Sequence, residues 1–303
     1  MLHDTTIVMT GATGMVGRPI ATELARTNDV WAVGRFGDPE VRAVLEDAGV
    51  HTLRADLTDA DLPTLPDADF VLNFAVSRTN DWDVDLDANA DGLAALMYAC
   101  RGARAVLHCS TTAVYQRHGH RRFAEGDPLG DNHRGGGAMF ETYSISKIAA
   151  EAMARSCARR LNLPTTIARL NVPYGDHSGW PVFLLESMLA DRPIFVHEDG
   201  PSEYQPIHHD DMMATLPALL AAARTPATIV NWAGDEVSSI EDWCGYLGEL
   251  TGLEPKFVPT VHTLSSATCD LTRMHAPVGH TRTKWQDGLA RMARARHPEL
   301  TAG

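Results

Sequence analysis

Two short stretches carry residues whose types and spacing could do chemistry. In Tyr143-Ser144-Ile145-Ser146-Lys147 a phenol and an ammonium stand four residues apart, which on a helix sets them on one face, one turn from each other. A tyrosine near pKa 10 is a poor acid–base group at neutral pH, but a neighbouring ammonium stabilises the phenolate and is expected to lower that value. The pair could then exchange a proton with a substrate oxygen while hydride moves to or from carbon. Lysine is scarce: only Lys147, Lys256 and Lys284 interrupt a chain that otherwise uses arginine, so its place beside the tyrosine suggests chemistry.

The second stretch, Thr10-Gly11-Ala12-Thr13-Gly14-Met15-Val16-Gly17, follows the apolar run Thr6-Ile7-Val8-Met9 and precedes a helix-competent segment from Arg18 to Ala25. Strand, glycine turn and helix form a phosphate cradle. Gly11 permits the turn. Gly14, with Thr13, Met15 and Val16 around it, lets the backbone approach a pyrophosphate, and Gly17 packs the helix close to the strand with its N-terminal N–H groups facing the anion. The spacing is one residue longer than the dinucleotide fingerprint G-x-G-x-x-G.

The elements that must position these groups alternate between strand and helix. Asp29–Gly34 reads as a second strand, Val50–Arg54 as a third and Asp67–Asn73 as a fourth, running into Phe74-Ala75-Val76. Residues 83–101 read as one helix with an alanine- and leucine-rich packing face. Ala105–Cys109 is a buried fifth strand with Ser110-Thr111-Thr112 at its carboxyl end, the edge where ligands of open α/β sheets sit. His108 inside that strand reads as a satisfied core histidine. A helix opens at Glu141-Thr142-Tyr143 and runs to about Leu161. Such alternation implies a parallel sheet.

The loop 116–137, with His118, His120, Arg121, Arg122, His133 and the run Gly135-Gly136-Gly137, reads as a substrate lid or a solvated surface. Its histidines lack ligand-like spacing, so no metal is expected there. At the end of the second strand, where an NAD enzyme wants a carboxylate for the ribose 2′-hydroxyl, stand Gly34-Arg35. A guanidinium suits the 2′-phosphate of NADP, with Arg18 as a second cation. NADP is the expected cofactor and NAD the alternative.

With 303 residues, 44% hydrophobic and no run of eighteen apolar residues, the chain reads as globular, with no membrane span and, at residues 1–10, no secretory leader. A net charge of −13 disfavours nucleic acid and anionic lipid and leaves a small molecule as partner. The five cysteines, Cys100, Cys109, Cys157, Cys244 and Cys269, are odd in number and scattered, as reduced thiols of a cytoplasmic protein would be.

The glycine loop, the strand end Ser110-Thr111-Thr112-Ala113-Val114-Tyr115 and Tyr143-x-x-x-Lys147 occur together and in this order. In that combination the chain resembles the short-chain dehydrogenase/reductases, in their extended branch of NAD-dependent epimerase/dehydratase-like proteins. The resemblance implies a Rossmann-type doubly wound parallel sheet over 1–171 and a smaller α/β substrate lobe over 172–303, with some elements returning to the first part. It implies Tyr143 as catalytic acid or base, Lys147 on the nicotinamide ribose and Thr111 hydrogen-bonding the reacting oxygen. Asp56-Leu57 would lie beside adenine, Ala75 would border the cofactor after the fourth strand, and Val172 would join it. Arg169–Gly175 resembles the sixth strand and its exit, and Ile229–Gly234 the return strand. Ile207-His208-His209-Asp210-Asp211-Met212 resembles a structural stretch whose aspartates cap the next helix. A homodimer through the helices at 83–101 and 141–161 is plausible on the same ground.

Departures from the family narrow the chemistry. Thr112-Ala113 stand where 4,6-dehydratases of sugar nucleotides carry Asp-Glu. Tyr204 and Val172 occupy places that usually supply an arginine and an asparagine to a nucleoside diphosphate, and Asn171 is out of step. Without the guanidinium fork a diphosphate loses a strong contact. Thr112, Trp180, Phe183, Tyr204 and the loop 76–82 are then expected to line a site for a small, partly apolar carbonyl compound. The leading expectation is an NAD(P)-dependent interconversion of carbonyl and alcohol. The alternatives are a nucleotide-sugar epimerase or dehydratase, and a non-catalytic NADP(H)-sensing regulatory protein.

Overall fold

The computed structural model describes residues 2–59, 62–134 and 140–300. Runs of β-branched and apolar residues build its central sheet: β1 (Thr6–Thr10), β2 (Asp29–Gly34), β3 (His51–Arg54), β4 (Phe70–Asn73), β5 (Ala105–Thr111), β6 (Thr165–Leu170) and β12 (Thr228–Trp232). They lie in the order β12-β6-β5-β4-β1-β2-β3, every pair parallel.

Both faces of this sheet are covered, so its middle strands are buried almost throughout, polar positions included. Ile7 and Met9 of β1 point to one side, into a core with Ile20 of α1 (Gly17–Leu24), Leu45 of α2 (Pro39–Asp47) and Leu216 and Leu219 of α7 (His209–Ala221). Val8 points to the other, where Leu93, Leu96 and Met97 of α4 (Gly92–Ala99) meet Ala150 and Ala154 of α5 (Tyr143–Leu161). The Rossmann-type doubly wound architecture expected from the sequence is the one observed.

The segment read as one helix over 83–101 is three pieces. α3 (Trp82–Leu86), capped by the Asp81 side chain, passes through a π-helical stretch, Asp87–Asp91, into α4. The widened turn carries Asn89, which accepts from Ser77 N (2.8 Å) and donates to Ser77 O (2.9 Å) and Ser146 Oγ (3.1 Å). Periodicity cannot register such a turn, because it adds one residue without changing the apolar face.

The later part of the chain adds β7 (Val172–Gly175), β8 (Ser178–Gly179), α6 (Trp180–Leu189), β9 (Ile194–His197), β10 (Glu203–Tyr204), β11 (Pro206–His208), β13 (Ser238–Ser239), α8 (Ile240–Thr251), β14 (Phe257–Thr260), α9 (Thr272–His275) and α10 (Trp285–Arg296). Their short sheets pair β11-β7-β8, β10-β13 and β14-β9. The cap of α7 departs from expectation. His208 Nδ1 accepts from Asp210 N (3.1 Å), while Asp211 receives Arg282 N and Thr283 N and Asp210 holds Arg291. The five cysteines are free and buried. Among the described residues no helix is long and apolar enough to cross a membrane.

Candidate active site

The glycine loop is shaped by backbone approaches that no side chain could share. Gly11 has φ +72°, and a Cβ there would lie 2.4 Å from Phe74 C, at the end of β4. A Cβ on Gly17 would lie 2.2 Å from Gly11 O. The turn closes with Gly14 N on Gly11 O (3.0 Å) and Arg18 N on Gly14 O (2.9 Å). α1 begins with no side-chain cap and no acidic residue in its first turn, so its leading N–H groups stay available to an anion.

A cavity of about 380 Å³ runs from this loop to the carboxyl ends of β4, β5 and β6. Gly11, Gly14, Met15, Val16 and Gly17 form one end of it, and Thr111, Tyr143 and Lys147 the other. Thr111 ends β5, where its Oγ1 accepts from Ala113 N (3.1 Å). Tyr143 opens α5, and Lys147 follows one turn later on the same face, nearly buried.

The electrostatics differ from the expectation in one respect. Lys147 Nζ donates to Cys109 O (2.9 Å), and the Tyr143 phenol is pushed above its ordinary value, chiefly by burial, with Thr111 and the Arg78 guanidinium pulling the other way. Burial likewise lowers Lys147. The expected lowering of the phenol by the ammonium is absent: burial dominates, and Lys147, turned onto Cys109 O, is not among the groups that lower it. His108 is a core residue but only half satisfied: Asn73 Nδ2 donates to its Nδ1 (3.0 Å), its buried Nε2 has no hydrogen-bond partner among the described residues, and burial holds it well below its usual pKa.

The other expected site residues are spread over several elements. Ala75 lies beside Gly11, and Thr13 is exposed on the loop. Arg35 is exposed at the end of β2, close enough to Asp56 to help lower its carboxyl, although the Thr58 N–H bond contributes more. Leu57 packs under Gly92. Val172 is buried in β7, and Asn171 and Pro173 on either side of it reach the cavity instead. Thr112 is buried in the turn after β5, with Asn171 Nδ2 3.4 Å from its Oγ1.

Trp180 and Tyr204 do not line this cavity. Their rings meet edge to face at 5.0 Å and pack on Trp243, and Tyr204 Oη donates to Ser265 O (2.9 Å). They belong to the main hydrophobic core, Tyr204 and Trp243 as buried members and Trp180 packed against it, while Phe183 is 65% exposed. Aromatic composition alone did not say which of two apolar clusters the rings would join.

Several groups at the site escaped sequence reasoning. Arg78 lines the cavity together with Val76; the loop 76–82 was expected as a wall of the site, but this cation in it was not singled out. Asp85, fully buried, accepts from Ser77 Oγ (2.6 Å), Thr79 N (2.9 Å), Asn80 N (3.0 Å) and Thr142 Oγ1 (2.5 Å). It thereby ties the Arg78 loop to the residue before Tyr143. Burial opposes its charge, but these bonds hold its pKa at about 2. Two turns beyond Tyr143, Glu151 takes Arg169 Nε (2.9 Å), Arg169 Nη2 (2.7 Å) and Ser110 Oγ (2.6 Å), pinning α5 to β5 and β6.

The loop 116–134 is largely exposed but anchored: Phe123 is buried and stacks on Tyr115 at 4.7 Å, and Asp127 holds Arg121 and His118. Its His133 ring stacks on Tyr143 at 5.6 Å, where burial lowers the imidazole to about 4. The run Gly135-Gly136-Gly137 lies outside the described residues.

Known proteins with this arrangement are consistent among themselves. A family model, the NAD dependent epimerase/dehydratase family, matches residues 7–233. Among solved structures, MoeE5 in complex with UDP-glucose and NAD superposes with a TM-score of 0.81 at 22% identity, covering 97% of this chain and 99% of that one. The UDP-glucuronic acid 4-epimerase from Bacillus cereus, with UDP-glucuronic acid and NAD, also gives 0.81, at 20% identity over 96% and 98%. At these identities the likeness is one of fold. A curated relative, a hybrid PKS-NRPS synthetase from Hapsidospora irregularis, is 32% identical over 180 residues; the match takes in 54% of this chain but only 4% of that protein's length.

Proposed function

Because the chain belongs to the NAD-dependent epimerase/dehydratase family, we propose that it is an enzyme that oxidises and reduces an alcohol carbon of its substrate with a bound nicotinamide dinucleotide. The observation that carries this reading is the single cavity shared by the glycine loop with Thr111, Tyr143 and Lys147. The loop fits a pyrophosphate, since the close approaches at Gly11 and Gly17 hold the turn tight against β4 and the start of α1, whose N–H groups are uncapped. When bound, the nicotinamide supplies the hydride acceptor or donor.

The chain's own residues supply the rest. Tyr143 takes or gives the proton at the substrate oxygen, Thr111 orients that oxygen, and Lys147, anchored on Cys109 O, contributes positive charge beside the phenol. Arg78 adds a second cation at the same end of the cavity. Ala75, Asp56 and Leu57 are assigned to the border of the cofactor, with Arg35 at its adenine end. Exposed Arg35, and an Asp38 whose side chain is already engaged by Glu40 N and Val41 N, favour NADP(H) over NAD(H).

For the substrate, the fold relatives favour a nucleotide sugar, interconverted through transient oxidation. Within that class the cavity favours epimerisation over dehydration: among the described residues its lining contains no carboxylate, so the acid–base pair for elimination is missing. A second reading, a small ketone or aldehyde, is favoured by Tyr204, which sits buried where a diphosphate-binding arginine was expected.

One experiment separates the readings. Dinucleotide-loaded protein is incubated with UDP- and dTDP-sugars and the products resolved by chromatography, while NADPH and NADH oxidation is followed with a ketone panel. Epimer formation without net cofactor turnover supports the first reading, and steady oxidation of reduced cofactor supports the second. Tyr143→Phe should abolish whichever activity is found while leaving dinucleotide affinity intact; a fully active Tyr143→Phe enzyme would sink the assigned role.

A further inference from the structure

Beyond β12 the chain brings together a carboxylate and two imidazoles that the redox chemistry above does not use. Asp235 follows the strand, while His275 ends α9 and His280 lies five residues further on. Gly279, with φ +93°, reverses the backbone between the two histidines. Their rings lie 3.9 Å apart at 31°. His275 Nε2 is 3.1 Å from Asp235 Oδ1 and His280 Nδ1 is 2.5 Å from Oδ2. Among the described residues this is the only group of three such donors, all within 4.8 Å of one another.

We propose that Asp235, His275 and His280 form a binding site for a divalent first-row transition metal, zinc above all, that clips the α9 turn to the end of β12. Around tetrahedral zinc with bonds near 2.0–2.1 Å, ligand atoms stand about 3.3 Å apart, so the His275–Asp235 spacing is already that of a coordination edge. Two imidazole nitrogens with one carboxylate oxygen select zinc over magnesium or calcium, which demand oxygen-rich shells. The fourth position faces solvent on the His280 side, where that side chain is 67% exposed, and a water completes it.

The surroundings hold the ligands in place without competing for the ion. Asp235 N donates to Thr281 Oγ1 (2.9 Å), which fixes the two segments against each other. The neighbouring carboxylate, Glu236, is taken by Lys284 Nζ (2.7 Å) and Trp285 N (3.0 Å). None of the three ligands lines the cavity of Tyr143. The metal is therefore structural: it cross-links positions 235 and 275, some 40 residues apart, in a segment that core residues such as Trp243, Cys269 and Met274 already anchor.

The test uses tag-free full-length protein stripped with EDTA and titrated with Zn²⁺ by calorimetry. One equivalent per chain with micromolar or tighter affinity is expected, and Co²⁺ should give the visible absorption of a four-coordinate site. Zinc at about a hundred times its dissociation constant should raise the unfolding midpoint by roughly 5 °C. His280→Ala and His280→Gln, at an exposed position, should unfold like the parent in EDTA yet weaken zinc by roughly 100-fold. Absence of a micromolar site in the parent would overturn the proposal. So would equal binding by parent and variants, which would assign the metal to other histidines.

Discussion

Removing Glu151 should damage the protein far more than removing Glu151 and Arg169 together. Both side chains are essentially sealed from water, at 1% and 2% exposure, and meet through two hydrogen bonds of 2.7 and 2.9 Å. Glu151→Ala leaves a buried guanidinium whose remaining contacts are Glu125 O at 3.2 Å and the face of Tyr115 at 4.7 Å. It also removes the acceptor of Ser110 Oγ. A stranded charge of this kind costs about 3–5 kcal/mol, whereas replacing the whole pair by apolar residues is close to neutral. The expected losses are therefore ~4 kcal/mol for Glu151→Ala, a similar figure for Arg169→Met, and under ~2 kcal/mol for Glu151→Leu with Arg169→Met. Urea unfolding followed through buried Trp232 and Trp243 reads this directly. With a slope of about 3 kcal/mol per molar, the single variants should shift the midpoint down by more than 1 M and the double by about half that or less. If the losses of the singles simply add in the double, the two groups are not a coupled pair and the reasoning fails. Because Glu151 also fixes α5 two turns beyond Tyr143, the singles should lose activity before they unfold.

Three further outcomes follow from the geometry. Asp85 is held at about 2 against an ordinary 3.8, so its contribution of about 2 kcal/mol is complete above pH 4 and disappears as pH falls towards 2; acid unfolding of Asp85→Asn should be flatter over that window, and an unchanged profile would contradict the network. Arg35→Glu should weaken NADPH by about 10–100-fold while sparing NADH, the size of a lost charge-assisted contact, as read by fluorescence titration; equal effects on both cofactors would remove Arg35 from the 2′ position. Gly17→Ala puts a methyl 2.2 Å from Gly11 O and should cost about 1–3 kcal/mol of stability together with dinucleotide binding, so a variant that still binds either cofactor normally would show that the cradle is not where the phosphates rest.

What the sequence made legible was whatever is written in short-range spacing. The glycine loop, the β5 end and the Tyr143–Lys147 turn are each local patterns, and the parallel pairing of the sheet follows from alternating elements. Less legible were groups whose role depends on distant partners. Asp85 is one of many acidic residues between 81 and 91, and nothing local marks it as the buried one. Trp180 and Tyr204 have the composition of a ligand wall, yet their rings close on Trp243, about 40 residues further along than Tyr204. The histidine cap on α7 was hidden because aspartates in a first turn are the commoner cap. Asp235, His275 and His280 were equally hidden, since 40 residues separate the carboxylate from the first imidazole.

The position of β12 at the outer edge of the sheet, paired to β6, has a consequence for biosynthesis. As the chain leaves the ribosome, six strands can assemble in turn, but the flank of β6 stays bare until residues 228–232 emerge behind α7. For that interval a row of unsatisfied amides and carbonyls stands open beside an apolar face, the arrangement that invites another nascent chain. Truncation before Thr228 should thus produce aggregates rather than a soluble half, and chaperone capture should peak just before that strand arrives.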